Sequence, residues 1–206
     1  MISSPNKGGR PRGFDRNEAV ETAMRLFWRH GYEGVSLAML TEAIGVAPPS
    51  IYAAFGSKEE LYRETLERYI SLFELMPLQR DDEEHALDEA LARLFDRAIA
   101  GVTGERGERG CMISTGLLAC HPSNGELEAE LAANRRSMAE RLDRELQRWL
   151  AYPRSGEVAR FICAVIQGIA IQAKDGSNEF ELRLIADQAR SCIKNNAHGN
   201  SRCSTF

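Results

Sequence analysis

Residues 36–55 read SLAMLTEAIGVAPPSIYAAF, and this segment holds the strongest local signal in the chain. Ser36 is a favourable N-cap for one short helix, and Gly45 suits the left-handed turn that ends it. Pro48 fits the first turn of a second short helix, where its missing N–H would have no partner anyway. Two short helices joined by a tight glycine-containing turn predict a helix-turn-helix, whose second helix can enter a DNA major groove.

Helical patterns continue on both sides of this segment. Asp15 predicts the start of a first helix that ends at Gly31, and Ser57 begins a fourth helix after Gly56. Beyond Pro77 the helices lengthen, and one is predicted to continue as far as Trp149. Because no run of alternating apolar and polar residues predicts a strand, we expect an all-α fold.

The charge is unevenly distributed along the chain. The 206 residues contain 26 lysines and arginines against 30 acids, a net charge of −4. Residues 1–58 contain seven cations and five acids, which makes +2 there and leaves −6 on the other 148 residues. The Gly- and Pro-rich residues 1–14 carry Lys7, Arg10 and Arg12 and no acid, which is typical of a flexible basic arm. DNA is therefore a plausible partner despite the acidic total.

Other classes of function are not indicated. The five cysteines are widely spaced and form no C-x-x-C pair, which argues against a disulfide framework or a structural zinc site. Cys111 and Cys120 would lie on roughly opposite sides of a helix, so we expect neither to be a metal ligand. The chain has no P-loop, dinucleotide fingerprint, H-E-x-x-H or nucleophile elbow, and we expect no cofactor and no enzyme. Without a secretory signal or an apolar run of about 18–20 residues, the expected location is the cytoplasm, with no membrane partner.

Three segments together resemble the N-terminal domain of TetR-type (TetR/AcrR family) transcriptional regulators. They are GYEGVS at 31–36, LTEAIGV at 40–46 and SIYAAFGSKEEL at 50–61. The likeness covers about residues 15–65, whereas residues 76–206 are similar only in helical layout and length. The resemblance implies a homodimeric, ligand-released repressor of operator DNA with a larger helical domain for ligand binding and dimerisation.

The resemblance also implies which residues contact DNA. It makes Pro48–Phe55 the recognition helix. It matches Ser36, Tyr52 and Lys58 to positions that contact phosphate. The positions that read bases are matched by Ala47, Pro48, Pro49 and Ala53. With neighbouring polar donors and the arm, the expected DNA-binding residues are Arg10, Arg12, Ser36, Thr41, Ala47, Pro48, Pro49, Ser50, Tyr52, Ala53 and Lys58. Ala and Pro cannot donate bidentate hydrogen bonds to bases, but they can pack against thymine methyl groups. We therefore expect an operator that is recognised through methyl contacts, DNA shape and the arm.

Arg10-Pro11-Arg12 resembles the core of an AT-hook, in which arginines lie in a narrow A·T minor groove. The alternative is a disordered tail that aids solubility. We expect the arm to contribute to DNA binding, because it directly precedes the helix-turn-helix.

The larger domain carries two predicted sites. Two apolar stripes on successive helices suggest either a dimer interface or the core of one chain. The expected interface residues are Val158, Ile162, Val165, Ile169, Leu182, Ile185 and Ala189. Apolar and Met side chains on neighbouring helices suggest a ligand pocket or, again, plain core. The expected pocket residues are Leu91, Phe95, Met112, Leu117, Leu118, Met138 and Phe161.

These predictions divide the chain into four parts: the arm (1–14), the helix-turn-helix domain (15–60), the ligand-binding and dimerisation domain (61–195) and a mobile tail (196–206). Two alternatives stay open at this stage. One is an effector-independent DNA-binding dimer, and the other is a small all-α enzyme whose catalytic groups are distant in sequence.

Overall fold

The helices of this chain begin and end largely where local capping chemistry predicts. A computed structural model describes residues 14–75, 78, 86–104 and 108–198, and within these ranges it contains helices and turns but no strand. The all-α prediction is confirmed. The helices are α1 (Arg16–Gly34), α2 (Leu37–Ile44), α3 (Pro48–Phe55), α4 (Lys58–Leu72), α5 (Leu87–Thr103), α6 (Met112–Thr115), α7 (Gly125–Leu146), α8 (Arg154–Lys174) and α9 (Glu179–His198), with a 3₁₀ turn at Pro122–Asn124.

Side-chain caps fix three helix starts in the N-terminal domain. The Asp15 carboxylate accepts hydrogen bonds from the first free N–H groups of α1. Ser36 Oγ accepts from the N–H of Met39 at 3.2 Å, and Ser57 Oγ accepts from the N–H of Glu60 at 3.0 Å. Each cap satisfies a donor that the helix itself leaves unpaired, so three predicted starts follow from local sequence.

Some predicted helix ends differ from those observed. Gly31 does adopt a positive φ of 72°, but its ψ of 168° makes a kink, and a further helical turn continues to Gly34. The helix that was predicted to reach Trp149 ends at Leu146, where it tightens into turns. Helix α9 continues to His198, so the backbone at 196–198 is helical rather than part of a tail. Residues 1–13 of the arm and residues 199–206 lie outside the described residues.

Two apolar cores hold the molecule together, and they meet at α4, α6 and α7. The core of the N-terminal domain consists mainly of buried residues from α1 to α4, and these include Ala23, Met24, Phe27, Trp28, Leu40, Ile51, Phe55, Tyr62 and Tyr69. The core of the larger domain is formed by α5, α7, α8 and α9. Its buried members include Leu91, Leu94, Phe95, Ile99, Leu142, Leu146, Ile162, Ile166, Ile169 and Leu182.

The residues predicted as a dimer interface face this second core. Val158, Ile162, Ile169, Leu182 and Ala189 are buried within one chain, and Val165 and Ile185 are half-buried and pack against the same core. The five buried side chains fill the interior of one protomer, whereas Val165 and Ile185 keep part of their surface accessible, so an interface at these residues stays a prediction. The alternative that the sequence left open, a core stripe, describes the five buried residues.

Helix α8 is long and apolar enough, by length and composition, to cross a bilayer. Its Ile162, Ile169 and Ala173 are fully buried in the core of the larger domain. The apolar character of this helix is accounted for by packing inside the protein.

Candidate nucleic-acid interface and effector cavity

The α2 and α3 helices form a helix-turn-helix. Their axes differ in direction by 94°, and Gly45, with φ 77° and ψ 33°, makes the left-handed turn between them. Leu40 and Ile51 are fully buried and Phe55 nearly so, which attaches both helices to α1 through the N-terminal core. Since the inner side of α3 is buried, its outer side is the side that a DNA groove can meet.

The outer side of α3 is formed by small and apolar residues plus one tyrosine. Ala47, Pro48, Pro49 and Ala53 are exposed, and the Tyr52 side chain is 53% exposed. Ala47 caps the helix without a side-chain hydrogen bond, and the two prolines provide no N–H donors. This end of α3 therefore lacks most of the donors with which helix N-termini usually bind phosphate.

The predicted phosphate donors differ in their freedom to reach DNA. Ser36 is exposed, and its Oγ accepts a bond from its own helix, so its hydroxyl proton can still be donated. Thr41 is half-buried and donates to the carbonyl of Ala38 at 3.0 Å. Ser50 is half-buried at the start of α3. Lys58 is also half-buried, and its Nζ lies 4.2 Å from the centroid of the Tyr32 ring.

The Lys58 ammonium is held in a cation–π contact rather than extended into solvent. Burial lowers the pKa of Lys58, and the nearby Glu33 carboxylate acts in the opposite direction. A phosphate contact would require this side chain to leave the ring. Of the eleven predicted DNA-binding residues, Arg10 and Arg12 lie outside the described residues.

Sequence reasoning missed Arg16, which stands beside α3. Its guanidinium lies 4.8 Å from the centroid of the Phe55 ring and pairs with Glu64 on α4 at 2.5 Å. Its position next to the Asp15 cap gave a signal only for the start of a helix. Arg16 links the entrance of α1 to α3 and α4.

A cavity of about 180 Å³ lies among α4, α5, α6, α7 and α8 of the larger domain. It is lined by apolar and aromatic side chains together with several charged ones. The residues that line it are Tyr69, Ile70, Phe73, Glu74, Leu75, Arg97, Ala98, Gly101, Val102, Cys111, Ile113, Ser114, Asn134, Arg135, Ser137, Met138, Arg141, Cys163, Ile166 and Gln167.

The predicted pocket residues do not describe this cavity, and Met138 is the one member of the predicted set that lines it. Leu91, Phe95, Met112 and Leu117 are buried in the two cores. Leu118 and Phe161 are instead exposed to solvent. Apolar periodicity alone cannot separate a cavity wall from filled core, and the other six residues of the predicted set do not line this cavity.

Trp28 on α1 links the helix-turn-helix domain to the cavity wall. Its ring packs edge-on against Tyr69 and Phe73, with centroid distances of 5.0 and 5.1 Å. Its Nε1 donates to the carbonyl of Gly110 at 2.9 Å, and Lys174 Nζ donates to its carbonyl at 3.4 Å. Trp28 therefore contacts α4 and the segment that precedes α6 through its buried indole, and α8 through its backbone carbonyl.

An ion pair reinforces this junction. Arg29 on α1 pairs with Glu108 at 3.0 Å, and Glu108 is only 4% exposed although the Arg29 side chain is half exposed. Removing the cation would leave the carboxylate buried without a charge partner, which is costly. The pair fixes α1 to the segment that follows α5.

Two thiols, those of Cys120 and Cys163, are held in their protonated form. Burial raises the pKa of Cys163 to about 11, and burial with the nearby Glu128 raises the pKa of Cys120. The Sγ of Cys111 accepts a bond from the N–H of Ser114 at 3.4 Å and caps α6. A raised pKa keeps a thiol protonated and disfavours metal binding and nucleophilic attack.

The outer sides of α8 and α9 expose large apolar side chains. Phe161 and Ile171 on α8 and Phe180 and Leu184 on α9 are exposed, Phe180 to 70%. A Cβ added at Gly168, between the two α8 residues, would meet nothing within 4 Å. This surface, which we call the apolar outer face, lies opposite the stripe that was predicted for dimerisation.

Fold and site together define a helix-turn-helix DNA-binding protein with a larger helical domain that encloses a cavity. The profile of bacterial regulatory proteins of the tetR family matches residues 19–65. The chain is 36% identical over 189 residues to the HTH-type transcriptional repressor ComR of Escherichia coli (strain K12), covering 86% of this chain and 88% of ComR. It is 30% identical over 191 residues to the HTH-type transcriptional repressor BdcR of the same strain, covering 90% and 92%.

A solved structure supports the same family assignment. A cysteine mutant of the TetR family transcriptional regulator CifR, complexed with a 26-base-pair operator DNA, superposes with a TM-score of 0.81. It is 34% identical and covers 89% of this chain and 98% of the CifR chain. The chain belongs to the TetR family and is a helix-turn-helix transcriptional regulator.

Proposed function

We propose that the protein is a cytoplasmic, non-enzymatic transcriptional repressor that binds operator DNA as a homodimer and is released when a small ligand fills the cavity. The observation that carries the proposal is the course of α4. This helix starts at the Ser57 cap, directly after the recognition helix, and its far end supplies Tyr69 and Phe73 to the cavity wall. The same rigid element thus belongs to both sites.

The coupling follows from packing. A ligand in the cavity would press on Tyr69 and Phe73, and Trp28 lies directly behind both rings. Close-packed interiors respond to added volume by displacing whole elements rather than by local compression. Movement of α4 and α1 would carry α3 with them and change the separation of the two recognition helices in a dimer.

The DNA contact is proposed from the exposed residues of α3 and from its surroundings. Ala47, Pro48, Pro49 and Ala53 would pack against thymine methyl groups, while Tyr52 would donate to a phosphate. Ser36, the N-cap of α2, would add a phosphate contact, and Thr41 would add a second after its hydroxyl turns away from the carbonyl of Ala38. Arg10 and Arg12 would reach the adjacent minor groove from the arm.

Dimerisation is proposed through the apolar outer face of α8 and α9. Exposed aromatic and aliphatic side chains on two neighbouring helices favour a self-complementary contact, as a two-fold dimer requires. Two protomers would then present two recognition helices to a pseudo-palindromic operator. ComR and BdcR are named as repressors, and CifR is structurally known on operator DNA, which supports the same activity here.

The experiment is a gel-shift scan of the DNA upstream of the protein's own gene, followed by addition of fractionated metabolites. We expect one retarded fragment that a scrambled fragment of equal length does not compete away, and a fraction that releases it. Retardation without release by any fraction would instead support an effector-independent DNA-binding dimer. Failure to retard any upstream fragment would contradict the proposal.

A further inference from the structure

We infer that the cavity takes a small amphipathic carboxylate, whose anionic group pairs with Arg135. This inference rests on the proposed function, because it assumes that the cavity is the effector site, and it adds the chemical class of the effector. Four observations support it: the way Arg135 is held, the charges around it, the apolar remainder of the wall and the size of the space.

Arg135 on α7 is a fixed cation that lacks an acidic partner. Its Nη1 donates to the backbone carbonyls of Ile113 at 2.9 Å and Gly116 at 3.2 Å. Within the described part of the chain it forms no ion pair, and its Nε and Nη2 donate to no residue. The guanidinium is therefore oriented by two neutral acceptors and keeps donors for a ligand.

Other charged residues line the cavity beside Arg135. They are Arg97, Arg141 and one acid, Glu74. Glu74 pairs with Arg141 at 2.5 Å, and both side chains are about half exposed. At Arg97, burial lowers the pKa, and nearby Arg93 lowers it further, so positive charge is unfavourable there. Because Glu74 is engaged by Arg141, it is not the charge partner of Arg135.

The wall also contains Ser114, Asn134, Ser137 and Gln167, and its apolar part fits an apolar tail. Tyr69, Phe73, Val102, Met138 and Ile166 provide aromatic and aliphatic surface. A wholly apolar ligand would displace water from Arg135 without replacing it by a charge partner, which is costly. At about 180 Å³ the cavity is smaller than the roughly 300–1,000 Å³ typical of drug-sized ligands, so the occupant is small.

Trp28 provides a reporter of occupancy. Its indole packs on Tyr69 and Phe73, which line the cavity, and Trp149 is the second of two tryptophans in the chain. The full chain with Trp149→Phe therefore emits from Trp28 alone. Its fluorescence responds to ligands in the cavity and needs no DNA.

The test is titration of this protein with butanoate, hexanoate, octanoate, benzoate and phenylacetate, each paired with its primary amide, and with phenyl phosphate. We expect saturable binding of at least one carboxylate, with its amide about tenfold weaker, since a charge-assisted hydrogen bond is lost. Binding by none of the carboxylates, equal binding of acid and amide, or tighter binding of phenyl phosphate would overturn the inference.

Variants on α7 distinguish a direct contact between Arg135 and the carboxylate from a general loss of the folded cavity. Arg135→Gln should weaken the carboxylate about tenfold and leave the amide unchanged, which also shows that the cavity is intact. Arg136→Gln, an exposed neighbour on the same helix, is the matched control and should bind as the parent does. Should Arg135→Gln fail to fold, Arg135→Lys keeps the charge but loses the planar fork and should still weaken the carboxylate. Parent-like carboxylate binding by the folded variants would overturn the inference.

The DNA experiment keeps this inference distinct from the proposed function. Operator release by a neutral metabolite, together with no carboxylate binding, would overturn the ligand class and leave the repressor proposal standing. Carboxylate binding without any operator binding would support the ligand class and overturn the repressor proposal.

Discussion

In the proposed DNA complex the outward residues of α3 would make an unusual reading surface, because Pro48 and Ala53 offer methyl and methylene groups where a base-reading helix usually offers donors. Such groups can recognise thymine through its C5 methyl, which uracil lacks. Recognition of thymine methyl groups can therefore be tested by changing the bases of the operator while the protein stays the same.

Uracil substitution in a selected operator should weaken binding at the thymines that α3 contacts. We expect a loss of about fivefold to tenfold when several contacted thymines are replaced, since each methyl buries about one CH₃ group of apolar surface. Competition binding with thymine and uracil operators of the same sequence measures this. Uracil substitution outside the half-sites is the control, and equal affinity of both operators would contradict methyl readout.

The buried thiol of Cys163 gives a pH dependence of stability. Burial raises its pKa to about 11 from an ordinary value near 9, so the unfolded chain loses this proton first as the pH rises. The stabilisation is complete below about pH 9 and is lost between about 9 and 11, with a slope of up to about 1.4 kcal/mol per pH unit.

Urea unfolding at intervals from pH 8 to 11 measures this slope. Cys163→Ala should flatten the decline in the free energy of unfolding, whereas the same change at the exposed Cys192 should not. An identical decline in the parent and in Cys163→Ala would show that the thiol is not responsible.

Residue-level chemistry also explains which parts of the site could be foreseen. Ser36 and Ser57 cap their helices through bonds to residues three positions away, so a short sequence window contains both partners. Trp28 and Gly110 are 82 residues apart, and Arg135 is 22 residues from Ile113. No local pattern indicates those contacts, and the junction and the cavity cation were therefore not predicted.

Among the elements, the turn between α2 and α3 depends on one backbone conformation. Gly45 has a φ of 77°, which costs a residue with a Cβ about 1–2 kcal/mol, although an added Cβ would meet no atom within 4 Å. Gly45→Ala should therefore lower the free energy of unfolding by that amount and weaken operator binding, because the 94° angle between the helices depends on this turn.

Gly125→Ala is the matched control. An added Cβ at Gly125 also meets nothing within 4 Å, but its φ of −59° is ordinary helical geometry at the start of α7. This variant should be as stable as the parent or slightly more so. Chemical denaturation of both variants decides the matter, and equal stabilities would refute the strained-turn explanation.

Helix orientation marks the limit of prediction at this scale. Helix α8 carries apolar residues on two sides: Ile162 and Ile169 face the core, whereas Phe161 and Ile171 face outward. Periodicity identifies both sides as apolar and cannot rank them, because the choice depends on how α5 and α9 pack. The helices were predictable, but the faces of α8 and α9 were not.

At the scale of the whole molecule, the apolar outer face predicts the oligomeric state. Leu184→Glu puts a charge at the centre of the proposed interface, where desolvation would oppose association. We expect sedimentation of a predominantly monomeric species at micromolar concentration, where the parent is dimeric. Leu118→Glu, a similarly exposed leucine away from this face, should remain dimeric. If Leu184→Glu stays dimeric, the proposal that the apolar outer face forms the dimer interface is contradicted.

Whole-chain charge is a poor guide to this molecule, since the net −4 combines +2 in residues 1–58 with −6 in the remainder. In a dimer the two N-terminal domains would face the DNA together, and the acidic domains would lie behind them. DNA could therefore be predicted as a partner only when the charges of residues 1–58 were counted separately from the remainder.

The most direct test of the central claim is the affinity of the full chain for its operator, measured by fluorescence anisotropy of the labelled fragment found in the upstream scan. Tyr52→Ala should weaken binding about tenfold or more, because both protomers lose a contact from the exposed side of α3. Tyr152→Ala, which truncates an exposed tyrosine in the larger domain, should bind as the parent does. Equal affinities for the parent and Tyr52→Ala would contradict DNA recognition by this face of α3.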